Sequence, residues 1–248
     1  CKYAQLIRKA AFSMDNASRS LVDPEDETNT KTYDSIISSI MSNGGNYSEI
    51  SLEGSGFTLK RYDGKEAFEG VSDDDETKPN RYISANGEAS LAFSWDLLGV
   101  DSSVKTDSYE LAAKFKFNEL ANTTPVFTTA ATQLSVTTDG KLQLTLANGD
   151  VYTSTEKLIT TGKDHEIKYD FGFDSVTMNK SSITVKGKDY ALAVNTKAYV
   201  DDKKVSFTKT ASGSEDMSVF AGNGFWLGNG DDTSYVCDYD VDNLAVTR

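Results

Sequence analysis

Two spacings of apolar residues run along the chain, and one replaces the other near residue 46. In residues 3–14 the apolar positions Tyr3, Leu6, Ile7, Ala10, Ala11 and Met14 recur every three or four residues, the stripe of an amphipathic helix. Residues 23–30 are polar and contain Pro24, which predicts a loop. Thr32 then offers an N-cap, Ile36, Ile37, Ile40 and Met41 a second stripe, and Asn43-Gly44-Gly45 a stop. The expectation is a helical segment over residues 1–45, made of two helices too short to stand alone. They need a surface to lie on, either the rest of the chain or a second copy, and the second case would be self-association through them.

From residue 46 onward the alternation is two-residue, and residues 46–248 read as one β-domain. Leu91, Phe93 and Trp95 share a face, as do Leu111, Ala113, Phe115 and Phe117 with lysines between them. Asp139-Gly140 divides two alternating runs between Leu134 and Leu146, and Asn148-Gly149 turns the chain again, both hairpin signals. His165 begins a run that puts Ile167, Tyr169, Phe171 and Phe173 inward. Shorter runs follow around Ile183–Val185, Tyr190–Val194, Ala198–Val200 and Val205–Phe207. Many short strands with regularly spaced turns and no long helix between them predict an all-β fold, an antiparallel β-sandwich.

The last strand contains a conflict of parity. Tyr235, Cys237, Tyr239 and Val241 lie on one face, Leu244 and Val246 on the other. A regular strand cannot bury both sets, because a one-residue slip exchanges the faces. A β-bulge at Asp242-Asn243 resolves it and leaves Asp238 and Asp240 facing away from the first apolar set.

Charge narrows the partners. The net charge of -13 disfavours nucleic acid, which is held by cationic side chains, and anionic membrane surfaces. No run of about 18 apolar residues is long enough to cross a bilayer as a helix. The two cysteines, Cys1 and Cys237, leave three readings open. They pair as a disulfide; or Cys1 carries lipid, as at the head of a mature bacterial lipoprotein; or both are unpaired, one of them packed as a small hydrophobe.

Candidate chemistry is sparse. Asp238, Asp240 and Asp242 recur every second residue, which sets carboxylates about 6.5–7 Å apart on one strand face. With Asp231 and Asp232 nearby they are candidate calcium ligands. The other readings are a carboxylate pair for glycoside cleavage and a solvated acidic face. Asp73-Asp74-Asp75-Glu76 reads as a solvated loop. His165 is the one histidine. That excludes multi-histidine zinc sites, and with no nucleophile elbow in the sequence it reads as structural. Trp226 is flanked by Phe225 and Leu227, of opposite parity, and by Gly222, Gly224, Gly228 and Gly230. It is therefore the candidate sugar-stacking plate, with Tyr235 and Asn229 as neighbouring ligand contacts and Tyr62 and Tyr82 as weaker alternatives. Trp95 is expected in the core. Asn16, Asn46, Asn122 and Asn179 open glycosylation sequons.

Several phrases in order carry a resemblance. They are Asp139-Gly140-Lys141-Leu142-Gln143-Leu144, the run from His165, Ala198-Tyr199-Val200-Asp201-Asp202-Lys203-Lys204-Val205, Phe225-Trp226-Leu227-Gly228, and Tyr239-Asp240-Val241-Asp242-Asn243-Leu244-Ala245-Val246. Over residues 85–248 the chain resembles concanavalin A-like (laminin G-like) jelly-roll domains of bacterial surface and polysaccharide-acting proteins. It departs at Asp202, where the hairpin usually carries glycine. The resemblance implies glycan binding or adhesion outside the cell or at its surface, in some members with calcium, and in others glycosidase or lyase activity. The leading expectation is a non-catalytic glycan-binding or adhesion domain. The alternatives are a structural subunit of a surface layer, filament or appendage, and a polysaccharide-cleaving enzyme.

Overall fold

The computed structural model describes residues 9–12, 19–23, 26–33, 52, 54–61, 81–94, 108–172, 183–186, 196–214, 216–219 and 224–247. The chain is all-β, and among the described residues every regular element is an antiparallel strand.

The larger sheet is built around three long strands, β7 (Ser108–Phe117), β12 (Asp164–Gly172) and β19 (Val236–Thr247), with β7 in the middle. β14 (Lys197–Val200) and β15 (Lys203–Lys204) extend it beyond β12. On the far side β19 changes partner along its length. Val236–Val241 pair with β5 (Arg81–Glu88), which carries β4 (Phe57–Arg61). Leu244–Thr247 pair with β1 (Lys9–Phe12), followed by β2 (Arg19–Asp23) and β3 (Asp26–Tyr33).

The second sheet runs β16 (Phe207–Ala211), β11 (Val151–Ser154), β10 (Leu142–Leu146), β9 (Thr132–Val136), β8 (Thr124–Thr129), β18 (Gly224–Gly228), β6 (Ser90–Ser94). β13 (Ile183–Lys186) and β17 (Asp216–Val219) pair separately.

The apolar faces of the two large sheets meet. Leu111, Ala113, Phe115 and Phe117 of β7 are buried, as the alternation predicts, and so are Leu142, Leu144 and Leu146 of β10. Rings cross between the sheets: Phe127 of β8 lies 5.6 Å from Phe115, edge on, and 6.4 Å from Tyr169, stacked. Polar atoms cross with them. The Tyr239 hydroxyl donates to the Pro125 carbonyl at 2.8 Å, and the buried Tyr169 hydroxyl meets the Thr132 hydroxyl. Burial without a partner would cost each of these groups a few kcal/mol.

The bulge expected in the last strand is present. Register against β7 shifts between Asp242 and Ala245. Cys237, Tyr239, Val241 and Leu244 are all fully buried despite their mixed parity. The shift falls where β19 changes partner from β5 to β1, so one irregularity serves both needs. Tyr235, grouped by parity with the inner set, is instead 45% exposed, because the strand begins one residue later.

The helical reading of the amino-terminal segment is corrected where the structure describes it. Lys9–Phe12 form a strand on the edge of β19, and Asp26–Tyr33, including most of the expected loop and the expected cap Thr32, form another. Without β1, the second half of β19 would leave one row of backbone groups unpaired. A strand edge of that kind offers hydrogen bonds that a helix of about three turns would leave unused. The remaining helical positions (residues 3–8, 13–14 and 34–45) lie outside the described residues, as do Trp95, Tyr62, Asp73–Glu76, Phe173 and Tyr190–Val194.

Turn chemistry sets the register. After Val136 pairs with Leu142, Thr137 and Lys141 close a three-residue loop through Thr137 N–H to Lys141 O at 2.8 Å. Gly140 takes φ 86° in that loop, and a Cβ there would come 2.3 Å from the Ile159 carbonyl. Between β14 and β15 the turn is Asp201-Asp202, with φ of 50° and 66°. That is the type I′ geometry of a two-residue hairpin, taken without glycine. Asp201 is held there by its own side chain, which accepts from the Glu166 amide at 2.8 Å and from His165 Nδ1 at 2.7 Å. Asp202 has only an exposed ion pair with Lys168 at 3.1 Å. Asp202→Gly is expected to stabilise the fold by about 0.5 kcal/mol, the left-handed strain outweighing a surface pair. Asp201→Gly is expected to destabilise it, and urea midpoints compare the two.

Candidate functional site

β18 alternates cleanly. Phe225 and Leu227 face the core, Phe225 stacked on Phe93 of β6 at 4.9 Å, and Trp226 is half-buried on the outer face. Cross-strand pairing sets Trp226 beside Ala92 of β6 on one side and Thr128 of β8 on the other. The row continues through Gln133 of β9 and Thr145 of β10.

The loop after β18 folds onto this row. Gln133 Nε2 donates to Thr128 Oγ1 at 3.0 Å and to Thr233 Oγ1 at 3.2 Å. Thr233 Oγ1 also accepts from the Gly230 amide at 3.2 Å. Gly230 packs closely on Thr128, where a Cβ would come 2.7 Å from Cγ2, and it lies beside the indole, the same Cβ standing at ordinary contact distance, 3.8 Å from Trp226 Cε3.

Asn229, expected to contact ligand, is buried at 2% exposure. Its side chain donates to the Ala89 carbonyl at 3.0 Å and the Tyr235 carbonyl at 2.8 Å, and accepts from the Tyr235 amide at 2.9 Å. It shapes the loop from within. Tyr235 is exposed at the loop's far end. Val236 beside it is clamped by Asn122, which accepts from the Val236 amide at 3.2 Å and donates to its carbonyl at 3.0 Å. Thr128, Gln133 and Thr145 escape the sequence reading because their strands are far from Trp226 in the chain. Their outward parity is legible beside buried Phe127, Leu134 and Leu144, but the lateral register is not.

The terminal aspartates lie on the outer face of the other sheet. Asp240 pairs with Lys116 of β7 on one side and Ser84 of β5 on the other, and Asp242 pairs with Lys114. Both aspartates are buried, while Asp238 is half-buried with Asn118 Nδ2 at 3.4 Å. Opposite charges in register are a stabilising cross-strand pattern. A calcium ion takes six to eight oxygens; here two of the three carboxylates are buried, and lysines stand in register beside them. Asp231 is exposed in the loop beyond β18, and no group of three or more His, Cys, Asp or Glu side chains placed to hold a metal occurs among the described residues.

His165 is 8% exposed, and both of its ring nitrogens are engaged. Nε2 accepts from the Thr160 amide at 3.1 Å, so Nδ1 carries the proton donated to Asp201. The ring pins a loop to a turn and has no nitrogen left to act as a base. Asp150, 1% exposed, pins another pair of loops. Its Oδ1 accepts from the Gly213 amide at 2.6 Å, and Oδ2 meets Lys209 Nζ at 3.2 Å, off the hydrogen-bonding angle. Burial pushes this carboxyl up, but the Gly213 amide, Asn148 and Lys209 together hold it below its ordinary value. A depressed native pKa means the contribution to stability is present above the unfolded value and lost as pH falls below about 4. Asp150→Asn is expected to lose about 1–2 kcal/mol at neutral pH. The gap should close near pH 2 in denaturant titrations.

Cys237 is a free, fully buried thiol whose pKa burial pushes up to about 11; Cys1 lies outside the described residues. A thiol of that kind is unreactive near neutrality. Cys237 is therefore expected to resist iodoacetamide until the chain is unfolded, as peptide mapping would show.

No family model matches the chain, and no curated protein matches it in sequence. Solved structures overlap it at low similarity. Trypanosoma rangeli sialidase shows 11% identity and a TM-score of 0.43 over 71% of this chain, and this chain spans only 26% of that one. Domain 4 of AbnA, a GH43 extracellular arabinanase from Geobacillus stearothermophilus solved in complex with arabinotriose, shows 15% identity and a TM-score of 0.46, covering 99% of this chain and 94% of that one. The CBM40 of Ruminococcus gnavus IT-sialidase, bound to sialyllactose, shows 7% identity and a TM-score of 0.43, covering 66% and 88%. At these scores the overlaps assign neither a family nor a ligand.

Proposed function

We propose that the two sheets form a concanavalin A-like jelly-roll sandwich acting outside the cell or at its surface as a non-catalytic glycan-binding domain. The observation that supports this reading is Trp226. An indole is half-exposed on a sheet's outer face, with glycine beside it and a lateral row of hydroxyl and amide side chains. Sugar recognition uses an aromatic plate for the apolar ring face and neutral polar groups for the hydroxyls. The absence of a catalytic role rests on His165, whose nitrogens are both engaged, and on the buried aspartates, each paired in register with a lysine.

A glycan array followed by calorimetry of the whole chain tests the proposal. Specific binding that survives chelation by EDTA and produces no cleavage products is expected. Silence across plant, microbial and host glycans overturns the binding reading, and release of reducing ends overturns the non-catalytic one.

A further inference from the structure

Charge is distributed very unequally between the two outer faces. Among the described residues the seven strands of the second sheet carry one charged side chain, Lys209, and Asp150 engages it at 3.2 Å. The first sheet carries Lys114, Lys116, Glu166, Lys168 and the terminal aspartates on its outer face. In a chain of net charge -13, a charge-free face over seven strands is a chemical specification. An anionic sugar would need arginine or lysine to replace its hydration. Here it would meet none unengaged in those strands, and Asp231 and Asp232 stand exposed in the loop beside Trp226.

The groups the face does offer are Gln133 and Thr145, in line with Trp226 across β18, β8, β9 and β10; Thr128 lies between Trp226 and Gln133 but is buried, its hydroxyl donating to the Gly228 carbonyl at 2.8 Å and accepting from Gln133. Hydroxyls and amides donate and accept alike, which suits sugar hydroxyls. Gln133 uses its amide nitrogen to hold the loop, and its Oε1 has no protein partner among the described residues. Three strand spacings of ~4.8 Å make the row about 14 Å long, more than one sugar ring fills.

We infer that the ligand is an uncharged oligosaccharide segment laid across the strands, with one ring on Trp226 and the chain running over Thr128 and Gln133 to Thr145. This rests on the glycan-binding reading and adds the ligand's charge class and direction.

Calorimetry of the full chain with neutral gluco-, xylo-, manno- and arabino-oligosaccharides of graded length, beside galacturonate and sialylated ones, tests it. Neutral ligands are expected to bind, more tightly with length, and to change by less than about twofold between low and high salt, since no charge is available to be screened. Thr145→Val removes only the hydroxyl. It is expected to weaken the longer ligands about three- to tenfold, the worth of one hydrogen bond, and to leave the shortest unchanged. Tight, salt-sensitive binding of acidic ligands that still depends on Trp226 overturns this inference and leaves the glycan-binding reading standing. So does a Thr145→Val variant that binds every length normally. Binding of no glycan overturns both.

Discussion

Tyr239→Ala is expected to lower stability by about 3–5 kcal/mol, the range for emptying a buried aromatic site. Tyr239 is fully buried at the centre of β19. Its ring lies 5.3 Å from Phe117, 5.5 Å from Phe115 and 6.2 Å from Phe57. Those three rings come from strands on both sides of β19, so the cavity cannot close by moving one element. The hydroxyl adds a second loss, since its bond to Pro125 crosses to the opposite sheet next to the irregularity between Pro125 and Phe127. Tyr239→Phe separates the two contributions. It keeps the packing and is expected to lose about 1–2 kcal/mol, since the buried Pro125 carbonyl loses its hydroxyl donor and is left with the Cys237 thiol at 3.9 Å. Urea denaturation at constant m-value reads both. A loss below about 1 kcal/mol for the alanine variant would contradict the packing described.

Trp226→Ala has the larger functional effect. Loss of the stacking plate is expected to weaken glycan binding roughly ten- to a hundredfold, about 1.5–3 kcal/mol. Stability should change by about 1 kcal/mol or less, because half of the indole already faces solvent. Trp226→Phe keeps a smaller plate and should fall between. Calorimetry beside a thermal melt checks the contrast with Tyr239, where stability falls first. If Trp226→Ala binds as well as the parent, the site lies elsewhere.

These two residues show how far the sequence could be read. The inward positions of β7, β10, β12 and β19 follow from two-residue alternation, because burial enforces it. The bulge follows from a clash of parities that only an extra residue removes. Trp226 on the outer face follows from its two apolar neighbours. Lys9–Phe12 pair as a strand where the stripe predicts helix, because a short apolar stripe is decided by the partner it meets. That partner, the second half of β19, lies more than two hundred residues away. Asn229 shows a related limit. A polar residue beside a candidate plate suggests a ligand contact, and only the folded loop shows its amide spent on Ala89 and Tyr235. The line from Trp226 to Thr145 required strand order, which no local pattern encodes.

The clamp on Val236 bears on how the protein can be produced. Asn122 opens a sequon, yet both hydrogens of its amide nitrogen are committed, to the Thr123 carbonyl at 2.8 Å and to that of Val236 at 3.0 Å. N-glycosylation replaces one of those hydrogens with a sugar. A secretory eukaryotic host that modified this position before folding would deliver β19 without the tether at its first residue. A host without N-glycosylation is therefore the simpler course, because Thr124, the sequon's third residue, is buried and donates to the Asn122 carbonyl at 3.0 Å, so replacing it would loosen the same tether.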